Sequence, residues 1–230
     1  MRVKIHHEGT NIILLLFLLV AVFNVPLWIW VRPLTIAIVS TAIWGVFVLL
    51  VVNFFRSPRR HFPGDPINAV VSSADGTVVA VEEVYEPEYL KCRCIQVSVF
   101  MSIFNVHANW FPVDGEVEFT RHHKGRFLAA YLPKSSTENE RSTVAIRTTG
   151  GQIVLMRQIA GAVARRIVTY AHPGIEAKIE DHMGFIKFGS RIDLYLPLGT
   201  DIYVAIGDKT VGGMTRVAQL HPEITVSQEN

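Results

Sequence analysis

The chain has only two cysteines in 230 residues, Cys92 and Cys94, with Arg93 alone between them. So small and close a pair excludes a disulfide framework and a structural zinc site, and both thiols read as ordinary strand residues. No metal is expected. Net charge is equally scarce: 22 Lys and Arg against 20 Asp and Glu leave a formal balance of +2. That excess is too small to mark a nucleic-acid partner, and no DNA- or RNA-binding signature occurs. Also missing is a small-residue cleavage site after the first apolar run, which argues against a removable signal peptide.

Long apolar runs, by contrast, are present. Residues 12–31 and 34–55 are free of charge, and each is long enough to cross ~30 Å of hydrocarbon. Asn24 and Pro26 weaken the first run, since proline lacks a backbone donor. Only Arg32 and Pro33 separate the two, which predicts a tight helical hairpin with both ends on one side. Arg2 and Lys4 precede the pair and Arg56, Arg59 and Arg60 follow it. The positive-inside bias therefore puts both ends, and the domain beyond them, on the cytoplasmic side of the cell's inner membrane. A re-entrant pair in one leaflet gives the same sidedness. The basic cluster 56–60 is expected against anionic headgroups. Residues 1–56 thus read as a membrane anchor and 57–230 as one further domain.

Pro58, Pro63, Gly64 and Pro66 mark a linker leaving the anchor. Beyond it come short alternating or β-branched runs, at 69–73, 76–84, 94–104, 115–120, 126–131, 143–148 and 152–159. Further runs follow at 166–169, 178–180, 184–188, 191–196 and 201–206. Many short strands at this spacing predict a mainly β domain, a sandwich or barrel. Residues 161–170 read either as part of that pattern or as a short helix. One internal echo is visible: Ser72–Val78 and Phe111–Val117 both place Asp-Gly ahead of a Val. Asp-Gly is also the commonest hairpin turn.

The chemically suggestive segment is His182–Pro197, which holds Gly189-Ser190 between Phe185, Lys187 and Arg191 and runs on into an alternating strand. Read with Asn139-Glu140-Arg141, Ala74-Asp75-Gly76 and Phe55-Arg56-Ser57-Pro58, it resembles the phosphatidylserine decarboxylase family in its short proenzyme form, from about residue 10 to about residue 220. The resemblance also extends the Asp-Gly echo to the half-motifs of biotinyl/lipoyl-type domains.

The resemblance implies a membrane enzyme of phosphatidylethanolamine synthesis, made as a zymogen. Autocatalytic cleavage between Gly189 and Ser190 would leave a β chain 1–189 and an α chain 190–230 that stay together, with Ser190 converted to a covalent pyruvoyl group. That ketone is the family's electron sink for the release of CO2 from phosphatidylserine in the bilayer. Asp75 matches the acidic residue that supports cleavage, against its alternative as a turn residue bonding its own backbone. His107, in Asn105–Asn109, matches the family histidine beside the pyruvoyl group. Longer members carry a second histidine three residues on; here Trp110 stands there. His107 is then the candidate for both cleavage and proton delivery, with His122 and His123 as alternatives. Lys134, Arg141, Lys187 and Arg191 are candidates for the lipid phosphate or carboxylate; Glu140 with Arg141 reads equally as a structural pair. Two other readings stay open: the same chemistry on another serine phospholipid such as archaetidylserine, and a non-catalytic lipoyl-like carrier or adaptor. Against the carrier, Thr77 and Glu116 stand where a modifiable lysine would follow each Asp-Gly.

Overall fold

A computed structural model describes residues 3–132, 134–162, 166–187 and 189–221, apart from the side chain of Val3. The chain divides into two compact units, 1–59 and 60–230.

The first unit opens with β1 (Val3–Ile5), followed by α1 (His7–Trp30), α2 (Thr35–Phe54) and β2 (Arg56–Pro58). The two charge-free runs become the two helices, both long and apolar enough to cross a membrane. His6 caps α1, its Nδ1 accepting from the Glu8 amide at 3.3 Å. Helix α1 runs through Pro26 without ending. Asn24 explains why a polar residue is tolerated there: Ser40 and Thr41 of α2 donate to its Oδ1 at 3.0 and 3.3 Å, and its Nδ2 donates to the Val20 carbonyl. In an apolar setting such a group must find partners inside the protein. Strand β2 pairs antiparallel with β1 and ends at Pro58, where the linker read from the sequence begins.

The second unit is mainly β. In order it holds β3 (Ala69–Val71), β4 (Gly76–Glu86), β5 (Cys92–Met101), β6 (Ala108–Trp110) and β7 (Gly115–His123). After the short helix α3 (Ser135–Glu138) come β8 (Arg141–Thr148), β9 (Ile153–Ala160), β10 (Arg166–Thr169), β11 (Glu176–Ala177) and β12 (His182–Lys187). The last are β13 (Ser190–Leu196), β14 (Asp201–Ile202), β15 (Lys209–Thr210) and β16 (Arg216–Gln219). Eight strands form a curled half-barrel sheet in the order β11-β7-β8-β9-β13-β5-β4-β15. Two three-stranded sheets, β10-β12-β6 and β14-β16-β3, accompany it. Three predictions change in detail: residues 178–180 form no strand, the neighbouring strand β11 ending at Ala177. Residues 126–131 form no strand; they carry an isolated bridge from Arg126 to Asn139. Residues 166–169 are strand and not helix, while 163–165 lie outside the described residues.

The Asp-Gly echo proves to be the trace of an internal two-fold. Thr77 pairs with Phe100 as Glu116 pairs with Arg147, and both hairpins carry a bulge at the matching place, Val78/Ala80 and Val117/Phe119. Thr210 pairs with Gly76 as Ala177 pairs with Gly115. Asp75 Oδ1 accepts the Gly212 amide at 2.9 Å, and Asp114 Oδ1 accepts the Ile179 amide at 2.8 Å. The two repeats also meet directly, Trp110 N donating to Ser73 O and Val71 N to Pro112 O. Neither Asp-Gly is a hairpin turn; each aspartate fastens a distant strand end.

Strand β13 lies at the middle of the large sheet, hydrogen-bonded to β9 and β5. Period-two alternation sends Ile192, Leu194 and Leu196 into the apolar core with Val97, Val99, Val154 and Met156. Arg191, Asp193 and Tyr195 take the other face. That face is equally buried and is filled by a polar network, with Arg157 donating to Tyr195, Glu86 and Glu88.

Candidate active site at the Gly189–Ser190 junction

Ser190 opens β13 and, by the same alternation, faces the core side. It is fully buried, and its Oγ lies 3.1 Å from the Met101 sulfur, a weak acceptor. Gly189 precedes it with φ +64°, a conformation that favours glycine. The internal two-fold supplies a comparison, because the register that matches Thr77 to Glu116 matches Gly189-Ser190 to Gly151-Gln152. Gly151 likewise has φ +84°. The backbone therefore requires the glycine in both halves, while the serine occurs in one.

His107 is fully buried and reaches the junction from the segment before β6. Its Nε2 accepts the Gly189 amide at 3.3 Å, and its Nδ1 is 3.0 Å from the Asn105 carbonyl. These partners select one tautomer. A carbonyl can only accept, so Nδ1 carries the proton, and Nε2 presents a lone pair to the peptide N–H next to Ser190. At the position two-fold related to His107 stands Asn68.

Asp75 lies two strands away, just ahead of Gly76 on β4. Its carboxylate is taken: Arg60 donates to Oδ1 at 2.5 Å and to Oδ2 at 2.8 Å, beside the Gly212 amide. Arg60 also donates to the Gly212 carbonyl at 2.7 Å and lies 4.2 Å over the Trp110 ring. Trp110, which takes the place of a second histidine, thus serves as a platform for this arginine. Arg60 was expected at headgroups with its basic neighbours; it is 4 % exposed inside the domain. Nothing in its spacing separates it from Arg59, so sequence reasoning missed it.

The four cations read as substrate contacts go different ways. Arg191 sits on the face of β13 opposite Ser190, its Nε donating to Asp193 at 2.6 Å and its Nη2 to Ser98 at 2.7 Å. Arg141 is half-buried and donates to the Thr137 carbonyl, and burial together with the nearby Arg157 pushes its pKa down. Lys187 is half-buried at the end of β12, two residues before the junction, and Lys134 is exposed at the start of α3. In the Asn139-Glu140-Arg141 motif the asparagine is a strut. Its side chain bonds both backbone groups of Leu128 and the carbonyl of Ala160, the residue paired with Ser190. Glu140 faces His122 at 3.5 Å, and His123 contacts Glu88 in the polar network.

Two further buried amides surround the site without having been singled out. Asn109 lies 3.7 Å from the Met101 sulfur and accepts from Gln158, whose carbonyl accepts from Thr169. A buried amide on an apolar stretch was the available signal.

The mainly β domain thus brings a buried serine, a glycine in the left-handed region and a histidine on the adjoining amide together at one peptide bond. Comparison with known proteins makes the class specific: residues 47–218 match the family model described as phosphatidylserine decarboxylase. The chain belongs to the phosphatidylserine decarboxylase family. A Parabacteroides distasonis phosphatidylserine decarboxylase proenzyme is 55% identical over 221 residues, covering 94% of this chain and 99% of that protein. The Bacteroides thetaiotaomicron proenzyme is 54% identical over 220 residues, with 95% and 96% covered. The Nitrosomonas europaea proenzyme is 47% identical over 194 residues, covering 84% of each.

Proposed function

We propose that this chain is a membrane-anchored proenzyme that cuts itself between Gly189 and Ser190 and then decarboxylates phosphatidylserine to phosphatidylethanolamine. The observation that carries the proposal is the Gly189 amide donating to His107 Nε2 beside the buried Ser190. A serine hydroxyl reaches the preceding carbonyl through a five-membered ring but needs a base to become a nucleophile. His107 takes the Oγ proton; Oγ bonds to the Gly189 carbonyl carbon, the peptide C–N bond breaks, and the proton passes to the freed nitrogen. The product is an ester. Loss of the Ser190 α-proton then expels the Gly189 carboxylate, and the unsaturated residue takes up water and releases ammonia, leaving a pyruvoyl terminus.

Ser190 is fully buried with the Met101 sulfur 3.1 Å from its Oγ, a setting that suits a small uncharged ketone at that position. Once formed, that group supplies the electron sink for decarboxylation. His107 delivers the proton that replaces CO2 on the substrate carbon. Lys187 and Lys134 serve the lipid phosphate. Arg191 instead positions: with Asp193 and Ser136, whose Oγ donates to Asp193 Oδ2 at 2.7 Å, it fastens the 134–140 segment to the strand that carries Ser190.

Helices α1 and α2 hold the enzyme in the inner membrane with both ends cytoplasmic, as the five flanking basic residues favour. The two products, 1–189 and 190–230, remain one heterodimer because β13 is bonded along both edges by strands of the larger fragment. Wild-type protein in phosphatidylserine bilayers is expected to release CO2, and Ser190→Ala to release none. Equal turnover by the alanine variant overturns the reading.

A further inference from the structure

Two loops beside the junction carry large apolar side chains outward. The turn after β5 is closed by Asn105 Oδ1, which accepts from the amide and hydroxyl of Ser102, and it presents Ile103 and Phe104, 52% and 62% exposed. The second loop, 126–132, presents Phe127, Tyr131 and Leu132, with Tyr131 61% exposed. Both stand at the Ser190 end of the sheet. Met101 pairs with Ser190, and the Tyr131 ring meets Phe100 edge-on at 6.2 Å. Gly161 lies between Ala130 and the Gly189 carbonyl, where a side chain would strike the carbonyl.

These loops are firmly built. Asn139 bonds both backbone groups of Leu128, Ser135 donates to Ala130 and Leu132, and Glu140 N donates to Arg126 O. Their exposed tips are therefore a fixed feature. Exposed Lys124, Arg126 and Lys134 border the second loop, where Arg126 also meets Glu138 at 3.4 Å. Exposed apolar tips with basic residues flanking one of them match one partner chemistry: the interfacial region of a bilayer that contains anionic lipid.

We infer that residues 103–104 and 127–132 form a lip that inserts into the headgroup region, so that a lipid headgroup passes to the buried junction without its acyl chains leaving the bilayer. This inference rests on the reading of the chain as a phosphatidylserine decarboxylase acting at a membrane. It adds to the helical pair a second membrane contact, made by the catalytic domain itself.

The test uses the full chain in nanodiscs. Phe104→Cys in a Cys92→Ser background carries an environment-sensitive fluorophore; Cys94 stays unlabelled because it is buried and, through desolvation, its pKa is pushed up to about 11. The expected result is blue-shifted emission that is quenched by lipids brominated near the headgroup, and more strongly with phosphatidylserine than with phosphatidylcholine alone. Emission typical of water, or a blue shift that appears only at raised protein concentration in lipid-free detergent, overturns the inference, the latter in favour of a second copy of the chain. Ile103→Asp/Phe104→Asp is expected to lower kcat/KM at least tenfold on bilayer phosphatidylserine. The same variant should stay within twofold of wild type on monomeric dihexanoyl-phosphatidylserine. Equal losses on both substrates overturn the lip as well. Wild-type protein inactive on both would instead fail the catalytic reading, while the fluorescence still decides the docking.

Discussion

At the scale of single residues, the site is defined by which atoms have already committed their hydrogen bonds. His107 Nε2 is aimed at the junction, where it accepts the Gly189 amide, whereas both oxygens of Asp75 are bound by Arg60. His107→Ala is therefore expected to accumulate as uncleaved chain, its cleavage slowed by roughly 10² to 10⁴, as a time course on denaturing gels would show. Cleavage at the wild-type rate would remove His107 from that step. Arg60 gives a different prediction. Its pair with Asp75 is largely buried, and losing one partner leaves an uncompensated charge, costing about 3 kcal/mol. Arg60→Met should lower the urea midpoint accordingly, and Arg60→Met/Asp75→Asn should lose much less than the sum of the single variants; additive losses would show that the pair does not act as a unit. The proximity of His107 to Gly189-Ser190 was legible from their motifs. The Arg60 partnership was not, because it joins residues fifteen apart through a packed ring, and no local pattern records it.

The polar turns and faces of the elements explain what periodicity alone left open. Alternation along β13 and β5 placed strands well, but a strand buried on both faces does not say which face holds the chemistry. Arg191 and Ser190 are adjacent in sequence and lie on opposite sides of the sheet, so proximity to the junction misled the reading of Arg191. The turn between β4 and β5 carries a testable electrostatic signature. Burial pushes the Glu86 carboxyl up, yet the amides of Tyr89, Leu90 and Glu88 together with Arg157 hold it below its ordinary 4.5. A carboxyl depressed in the fold stabilises above its unfolded pKa, and that contribution is lost as pH falls through the lower folded value. The urea midpoint of wild type should thus drop as pH is taken below about 4.5, with Glu86→Gln less stable at neutral pH and flatter over the acid range. An identical acid slope in the variant would assign the pH dependence elsewhere.

For the whole molecule, the duplication is the feature that sequence only hinted at. Two seven-residue segments echoed each other and hold the paired aspartates, but the strands and loop amides they fasten, at 210–212 and 177–179, share no sequence likeness and are matched by backbone geometry. That near-symmetry makes the site legible, since Gly189-Ser190 of one half meets His107 of the other, while the two-fold related positions hold Gly151-Gln152 and Asn68. The apolar helices were plain from composition, and their sidedness is a prediction of charge. Reporters fused after residue 1 and inserted after residue 60 should both give cytoplasmic signals, and a periplasmic signal at the second would leave a single span. The central claim is that this chain breaks its own backbone at Ser190, and intact-mass spectrometry of purified wild type and Ser190→Ala tests it most directly. The account predicts two species for wild type, residues 1–189 and residues 190–230, the smaller lighter by one ammonia than a serine-started fragment, and a single full-length species for the variant. A single full-length mass for active wild type, or the two fragments from Ser190→Ala, would contradict it.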